Sequence, residues 1–420
     1  MTEDKKPKFF YGYVIILACF ISLLIAVGGY FSFGVFFEPV LVEFGWTRAI
    51  TSGAFSLSLI LAGLLGVVTG KINDKFGPRL VLTAGALVLG LGYSLMSQIS
   101  AVWQIYLFYG VLIGTGFSGY IVVLLSTTAR WFAKRRSMMT GIVMAGTGTG
   151  TMLMPLLGGW LISSYGWRTS YIIMGAISLI LITSVTQFLR RDPQSKGLLP
   201  DGKAELKQES QNSGADGLSF REATRTWQYW MLWAVFLFLG FSQITVMVHI
   251  VIHATGLGIP PASAVSVLSI IGGANIAGRI VMGTTGDKIG NKLAIIIGII
   301  LMSASLFWLL AAKEVWMLYL FGVIFGFAWG GSFVQMSPIT AELFGLKAHG
   351  VLIGLINFGI TIGGTIGPVL IGYIFDITSS YQTGFLILAA VSLIGLILAL
   401  LLRPVREQEN TGLDRKPKRR

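Results

Sequence analysis

Two short stretches decide the fold: Gly70-Lys71-Ile72-Asn73-Asp74-Lys75-Phe76-Gly77-Pro78-Arg79 and Gly283-Thr284-Thr285-Gly286-Asp287-Lys288-Ile289-Gly290-Asn291-Lys292. Both read Gly-x-x-x-Asp-Lys-x-Gly-x-Arg/Lys, and each position in the first matches one 213 residues later. The same shift pairs Gly141 with Gly354, Gly146 with Gly359, Pro155 with Pro368 and Gly159 with Gly372. Separate stretches agreeing on one offset make chance a poor explanation, so the chain reads as a duplicated unit.

What is duplicated follows from composition. The 420 residues are 54% apolar and only 12% charged, with 54 glycines. So few charges cannot cover a water-soluble globule, and so apolar a chain is not disordered. Abundant glycine suits helices that pack closely in a bilayer. The single cysteine, Cys19, excludes an intramolecular disulfide and any cysteine-based metal site, and reads as a small buried hydrophobe.

A helix needs about 20 apolar residues to cross a bilayer. Twelve such stretches are present, near 11–37, 49–72, 78–98, 102–128, 137–164 and 168–189, then 227–254, 262–285, 291–312, 315–341, 349–376 and 381–403. The expected organisation is a cytoplasmic N-terminal tail 1–10, a six-helix bundle 11–189, a polar linker 190–225, a second six-helix bundle 226–403 and a basic tail 404–420. The linker carries seven Lys/Arg and six Asp/Glu, with a short amphipathic piece near Ser219–Arg225. The first span is too long, and lacks the small-residue cleavage site, for a signal peptide.

The net charge of +13 would suggest nucleic acid in a soluble protein. Its distribution says otherwise. The termini and the even-numbered loops hold 27 of the 31 Lys and Arg; the odd-numbered loops hold Arg48, Arg168 and Lys313; Arg279 alone lies within a span. Basic residues stay on the cytoplasmic side, so both termini are expected there, and the charge reflects topology rather than a nucleic-acid partner. The bilayer is the expected partner, with the basic tail beside anionic headgroups. Two parallel repeats imply a transporter whose substrate sits near the midplane between rocking halves.

The paired loop motif resembles the loop 2–3 signature of the major facilitator superfamily. Arg130-Trp131-Phe132-Ala133-Lys134-Arg135-Arg136-Ser137-Met138-Met139-Thr140-Gly141, continuing through Ala145 and Gly146 to Gly150, is similar to the helix 5 signature of its monocarboxylate transporters. Phe10-Tyr11-Gly12-Tyr13 and the run from Val248 through His249 and His253 to Gly258 resemble bacterial members, the oxalate–formate exchangers among them. The resemblance covers nearly all of 9–403. It implies an all-α fold of twelve transmembrane helices in two six-helix halves, a secondary transporter of L-lactate, pyruvate or similar monocarboxylates by alternating access, proton coupling, and a place in the bacterial inner membrane. An organic anion exchanger of the oxalate–formate type is the alternative. A monomer is expected to suffice.

Arg279 is the residue on which the substrate reading turns. A central arginine costs about 2.5–3.5 kcal/mol on insertion scales. Glu38, Glu342 and Asp376 lie near span ends, so no deep carboxylate answers it. A bound carboxylate suits the guanidinium fork, and the resemblance makes this arginine the carboxylate anchor; the other reading is an arginine that snorkels to the loop or pairs with an end carboxylate. Asn275, four residues earlier on the same face, is a second donor candidate. One uncompensated cation favours a monoanion; Val351–Phe375 holds no Lys or Arg, whereas the oxalate exchangers carry a helix 11 lysine.

Further pocket candidates are Tyr120 and its repeat mate Phe333, then Tyr30, Phe31, Met144, Asn357 and Phe358; each also reads as ordinary core. His249 is the candidate for proton coupling or substrate contact, or else a partnered polar residue, and His253 and His349 read as interfacial. The i,i+4 pair His249/His253 lacks an evident third ligand, so no metal is expected. Animal members carry a helix 1 lysine and a helix 8 aspartate where this chain has Phe31 and Asn275, so their proton relay does not transfer. Asp74, Lys75 and Arg79, with Asp287, Lys288 and Lys292, are read as a cytoplasmic latch or as orientation signals on tight turns; the resemblance implies that they lock the outward-facing state. Gly146-Thr147-Gly148-Thr149-Gly150 lies within a helix with no preceding strand, which argues against a dinucleotide loop and for helix packing that lets the halves slide. No cofactor is expected. An enzyme would need convergent acid–base or metal groups, and an ATP-driven pump a P-loop; neither is present. The missing membrane acids speak against a cationic-drug exporter.

Overall fold

Long apolar runs punctuated by glycine have one way to satisfy their backbone in lipid, which is to form helices. The computed structural model describes residues 10–46, 48–202 and 217–403. The tail 404–420, nearly all of 1–10 and part of the linker fall outside them, as do the side chains of Glu38 and Asp376. Among the described residues, eleven helical segments are long and apolar enough to cross a membrane.

Helix α1 (Gly12–Phe31) breaks at Ser32 and resumes as Phe33–Phe44. Then come α2 (Gly53–Phe76), α3 (Pro78–Met96) and α4 (Val102–Trp131). The next segment, Arg136–Thr186, runs for 51 residues but is broken at Gly166, where φ is 77° and ψ 159°. Its arms, 136–165 and 167–186, are α5 and α6. The sequence reading has two spans with a short loop here; the turn is one residue, and only glycine takes that backbone without strain. After the linker follow α7 (Trp227–Gly256), α8 (Ser266–Ile289), α9 (Asn291–Ala311), α10 (Val315–Phe344), α11 (His349–Phe375) and α12 (Gln382–Leu401).

Neighbours repeat under the 213 shift. α1 packs on α5 as α7 packs on α11, and α8 packs on α10 as α2 does on α4. Gly146 and Gly150 meet the backbone of Phe20 and Leu24; Gly359 and Gly363 meet Trp233 and Leu237. These small-x-x-x-small pairs therefore close α1·α5 and α7·α11. They are packing surfaces, as expected, but not the surfaces on which the two sets of helices would slide.

The sets on either side of the linker meet along two other seams, α2·α11 and α5·α8. Backbones touch there: a Cβ on Gly350 would lie 2.7 Å from the Gly70 carbonyl oxygen, and one on Gly283 2.7 Å from that of Ser137. The amphipathic piece of the linker forms a helical turn, Phe220–Ala223, capped by Ser219 and Glu222 on each other's backbone N–H. At the end opposite the latch loops, Arg168 and Trp167 both donate to Glu43, which holds its carboxyl below the usual range.

Candidate substrate site

The α5·α8 seam carries the arginine. Close approach of Gly141 to the Arg279 backbone and of Gly148 to Ile276 brings the two helices together. Arg279, 6% exposed, then reaches across: its Nη1 donates to the Met144 carbonyl and to the Thr147 hydroxyl. Thr147 in turn donates to the Met144 carbonyl at 2.7 Å. Both contacts neutralise dipoles, not charge; among the described residues Arg279 has no ion-pair partner. Its Nε is buried without an acceptor, and so is the Nδ2 of Asn275 one turn away. Unpartnered buried donors are costly, and these two lie one turn apart on the same face of α8. Beyond Asn275, Gly272 and Gly273 face open space.

Met144 thus joins Arg279, though through its carbonyl. The other expected residues do not meet there. Tyr120 is fully buried, with its hydroxyl 3.4 Å from the Leu82 carbonyl inside the N-terminal set. Phe333 packs edge-on to Phe236 and Trp329. A pocket closed by Tyr120 and Phe333 as a pair is not formed, because each ring is absorbed by its own set. Tyr30 is fully buried, bonded to Ser58 at 2.7 Å and stacked on Phe117 at 4.3 Å. Phe31 is 48% exposed, beside Tyr30. Asn357 and Phe358 are half-buried on α11.

His249 is buried, with Nε2 3.0 Å from the Pro368 carbonyl and Nδ1 3.2 Å from the Tyr381 hydroxyl. At 1.5 Å per residue it lies about 33 Å from the start of α7, and Arg279 about 15 Å from the end of α8. Those ends share one face of the bundle, so a substrate on Arg279 does not touch His249. His253 packs on Tyr381 and Phe385. His349, expected at the interface, is instead fully buried, bonded to the Ser337 carbonyl at 3.0 Å.

The latch motif divides. Asp74 accepts from the backbone N–H of Gly350 and Val351, both at 3.1 Å, at the start of α11. Asp287 accepts from those of Ser137 and Met138, both at 2.8 Å, at the start of α5. Donors and acceptors of the two contacts are related by the 213 shift, each aspartate capping a helix of the opposite set. The basic residues do not cross. Lys75 and Lys288 are exposed, Lys292 is half-buried, and Arg79 donates to the Gln187 and Leu189 carbonyls of its own set.

Sequence reading assigned no role to three residues that stand out here. Arg130, counted there as a loop residue, lies within the last turn of α4 and is 7% exposed; it bonds Asp74 at 3.1 Å, Asp192 at 3.3 Å and the Leu346 carbonyl at 2.8 Å. Thr147 holds Arg279. Trp329 on α10 has a buried Nε1 without an acceptor. Arg130 and Thr147 both stand in the stretch that is similar to the helix 5 signature, whereas Trp329 stands in no motif.

The family model described as Major Facilitator Superfamily matches residues 19–293 and 257–420. The chain belongs to the major facilitator superfamily. It is accordingly a multi-pass membrane transporter and not an enzyme. Monocarboxylate transporter 13 of Bos taurus is 26% identical over 393 residues, covering 93% of this chain and 89% of its own. The oxalate:formate antiporter of Oxalobacter formigenes is 27% identical over 401 residues, covering 93% and 90%. The solved human organic anion transporter MFSD10 shares the fold, with a TM-score of 0.72 at 14% identity over 92% of this chain and 99% of that one.

Proposed function

We propose that this major facilitator carries small monocarboxylate anions, L-lactate and pyruvate among them, by alternating access with a co-transported proton. One observation carries the reading: a buried arginine spanning the α5·α8 seam, without a carboxylate partner among the described residues, beside a second unpartnered donor. A carboxylate would take the free guanidinium donors as charge-assisted bonds. The relatives' printed names, a monocarboxylate transporter and an oxalate:formate antiporter, support an organic anion. Arg130, the other buried arginine, is paired with Asp74 and Asp192, and one buried cation left without a carboxylate favours a monoanion over a dianion. The two aspartate caps favour a state closed at the latch end, with substrate entering from the other. We place this protein, as a monomer with twelve spans in two six-helix halves and cytoplasmic termini, in a bacterial inner membrane. His249 stays the candidate for the proton, acting at a distance from the anion.

Labelled L-lactate uptake into proteoliposomes, with and without an inward proton gradient, tests this. Arg279→Ala is expected to lower uptake about 100-fold or more, since it removes bonds to a charged group worth about 1.5–3 kcal/mol each. Undiminished uptake by the folded variant sinks the anchor. Gradient-independent uptake that instead requires oxalate or formate inside the vesicle favours the exchanger.

A further inference from the structure

A guanidinium presents two usable edges, and this structure leaves only one open. Nη1 of Arg279 is taken by the Met144 carbonyl and the Thr147 hydroxyl, both on α5. Nε is buried and has no acceptor, and among the described residues Nη1 is the guanidinium nitrogen that makes hydrogen bonds. The open edge is therefore Nε–Nη2, on a side chain that is 6% exposed and anchored from the opposite set of helices.

Thr147 is suited to this by its own bond. Its hydroxyl hydrogen is spent on the Met144 carbonyl at 2.7 Å, one helical turn back. The oxygen lone pairs then face Arg279, so the hydroxyl can only accept from it. Serine would keep that arrangement; valine would keep the volume and lose the acceptor.

We infer that Thr147 is a positioning residue for the substrate: by holding Nη1 it turns the Nε–Nη2 edge to the anion, which docks side-on with two parallel N–H···O bonds. This rests on Arg279 being the carboxylate anchor. It adds that the anchor is assembled by both sets of helices, α8 supplying the donor and α5 its orientation. Parting α5 from α8 would release Nη1 and let the guanidinium turn. Affinity for the anion would then depend on the state of the carrier. Released from Thr147, the arginine keeps its charge but samples several directions, so the loss falls on binding.

The test is the Michaelis behaviour of labelled L-lactate uptake in proteoliposomes for wild type, Thr147→Val, Thr147→Ser and Arg279→Lys. Thr147→Val is expected to raise KM about tenfold with Vmax within about twofold, and Thr147→Ser to return KM to near the wild-type value. Arg279→Lys keeps the charge but has no such edge, and is expected to lose uptake beyond either. A wild-type KM in Thr147→Val overturns the positioning role, as does a Thr147→Ser variant as impaired as valine, which would mean the methyl group matters and not the acceptor. Normal uptake by Arg279→Lys overturns the anchor itself, whatever the threonine variants do.

Discussion

Under the proposed function, Arg279 and Asn275 set both affinity and selectivity from one helix turn. The arginine supplies charge. The amide, one turn away with its Nδ2 buried and unpartnered, supplies a neutral donor that a plain carboxylate does not need. An oxygen on the second carbon of the substrate would meet it. Asn275→Ala is therefore expected to lower the preference for lactate over propionate about tenfold, near 1.4 kcal/mol, the size of one neutral hydrogen bond. Competition of each acid against labelled lactate measures it. Equal preference in the variant and wild type assigns Asn275 to packing. Arg279 was legible in the sequence because a lone charge among apolar residues is costly and conspicuous. Thr147 was not: in a Thr-Gly-Thr-Gly run every hydroxyl looks alike until the opposing helix shows which one it faces. Tyr120 and Phe333 misled for a related reason. The repeat fixes equal depth for the pair, but depth says nothing of the direction in which a ring points.

At the scale of the element, each seam between the two sets of helices is tied by an aspartate at a helix start. The motif was legible because it occurs twice, and the 213 shift that pairs Asp74 with Asp287 also pairs their acceptor sites, Ser137–Met138 with Gly350–Val351. What the sequence left open was which motif residues cross the seam. The motif's lysines and Arg79 keep their heads in water or on the carbonyls of a neighbouring helix end, whereas a short carboxylate is held where two N–H groups converge. Asp74→Asn with Asp287→Asn leaves the shape and removes both charges. The latch end is then expected to open in a larger fraction of molecules. Spin labels at Lys75 and Lys347, exposed residues on opposite sides of the α2·α11 seam, would report a growing long-distance population. Unchanged distances in the double variant would mean that backbone packing at Gly70·Gly350 holds the end shut without the carboxylates.

Across the whole molecule the strongest constraint is the sorting of charge. Helix α5 runs into α6 through a one-residue turn at Gly166, and the sequence marks the break with Ser163, Ser164 and Arg168 between two apolar runs. With the spans assigned from the sequence, 27 lysines and arginines fall to one side and three to the other, a split that is self-consistent only for an even number of crossings. The chain carries its own control for a test of this, since its single cysteine, Cys19, is buried against α4 and should be silent to aqueous thiol reagents. A cysteine replacing Lys313, between α9 and α10, is expected to react with a membrane-impermeant maleimide in intact cells. One replacing Lys288, at the end of α8, is expected to react only after the membrane is opened. The reverse pattern would turn the molecule over. The aspartate caps would then close its outer face, and the anion would enter from the cytoplasm in the state seen here.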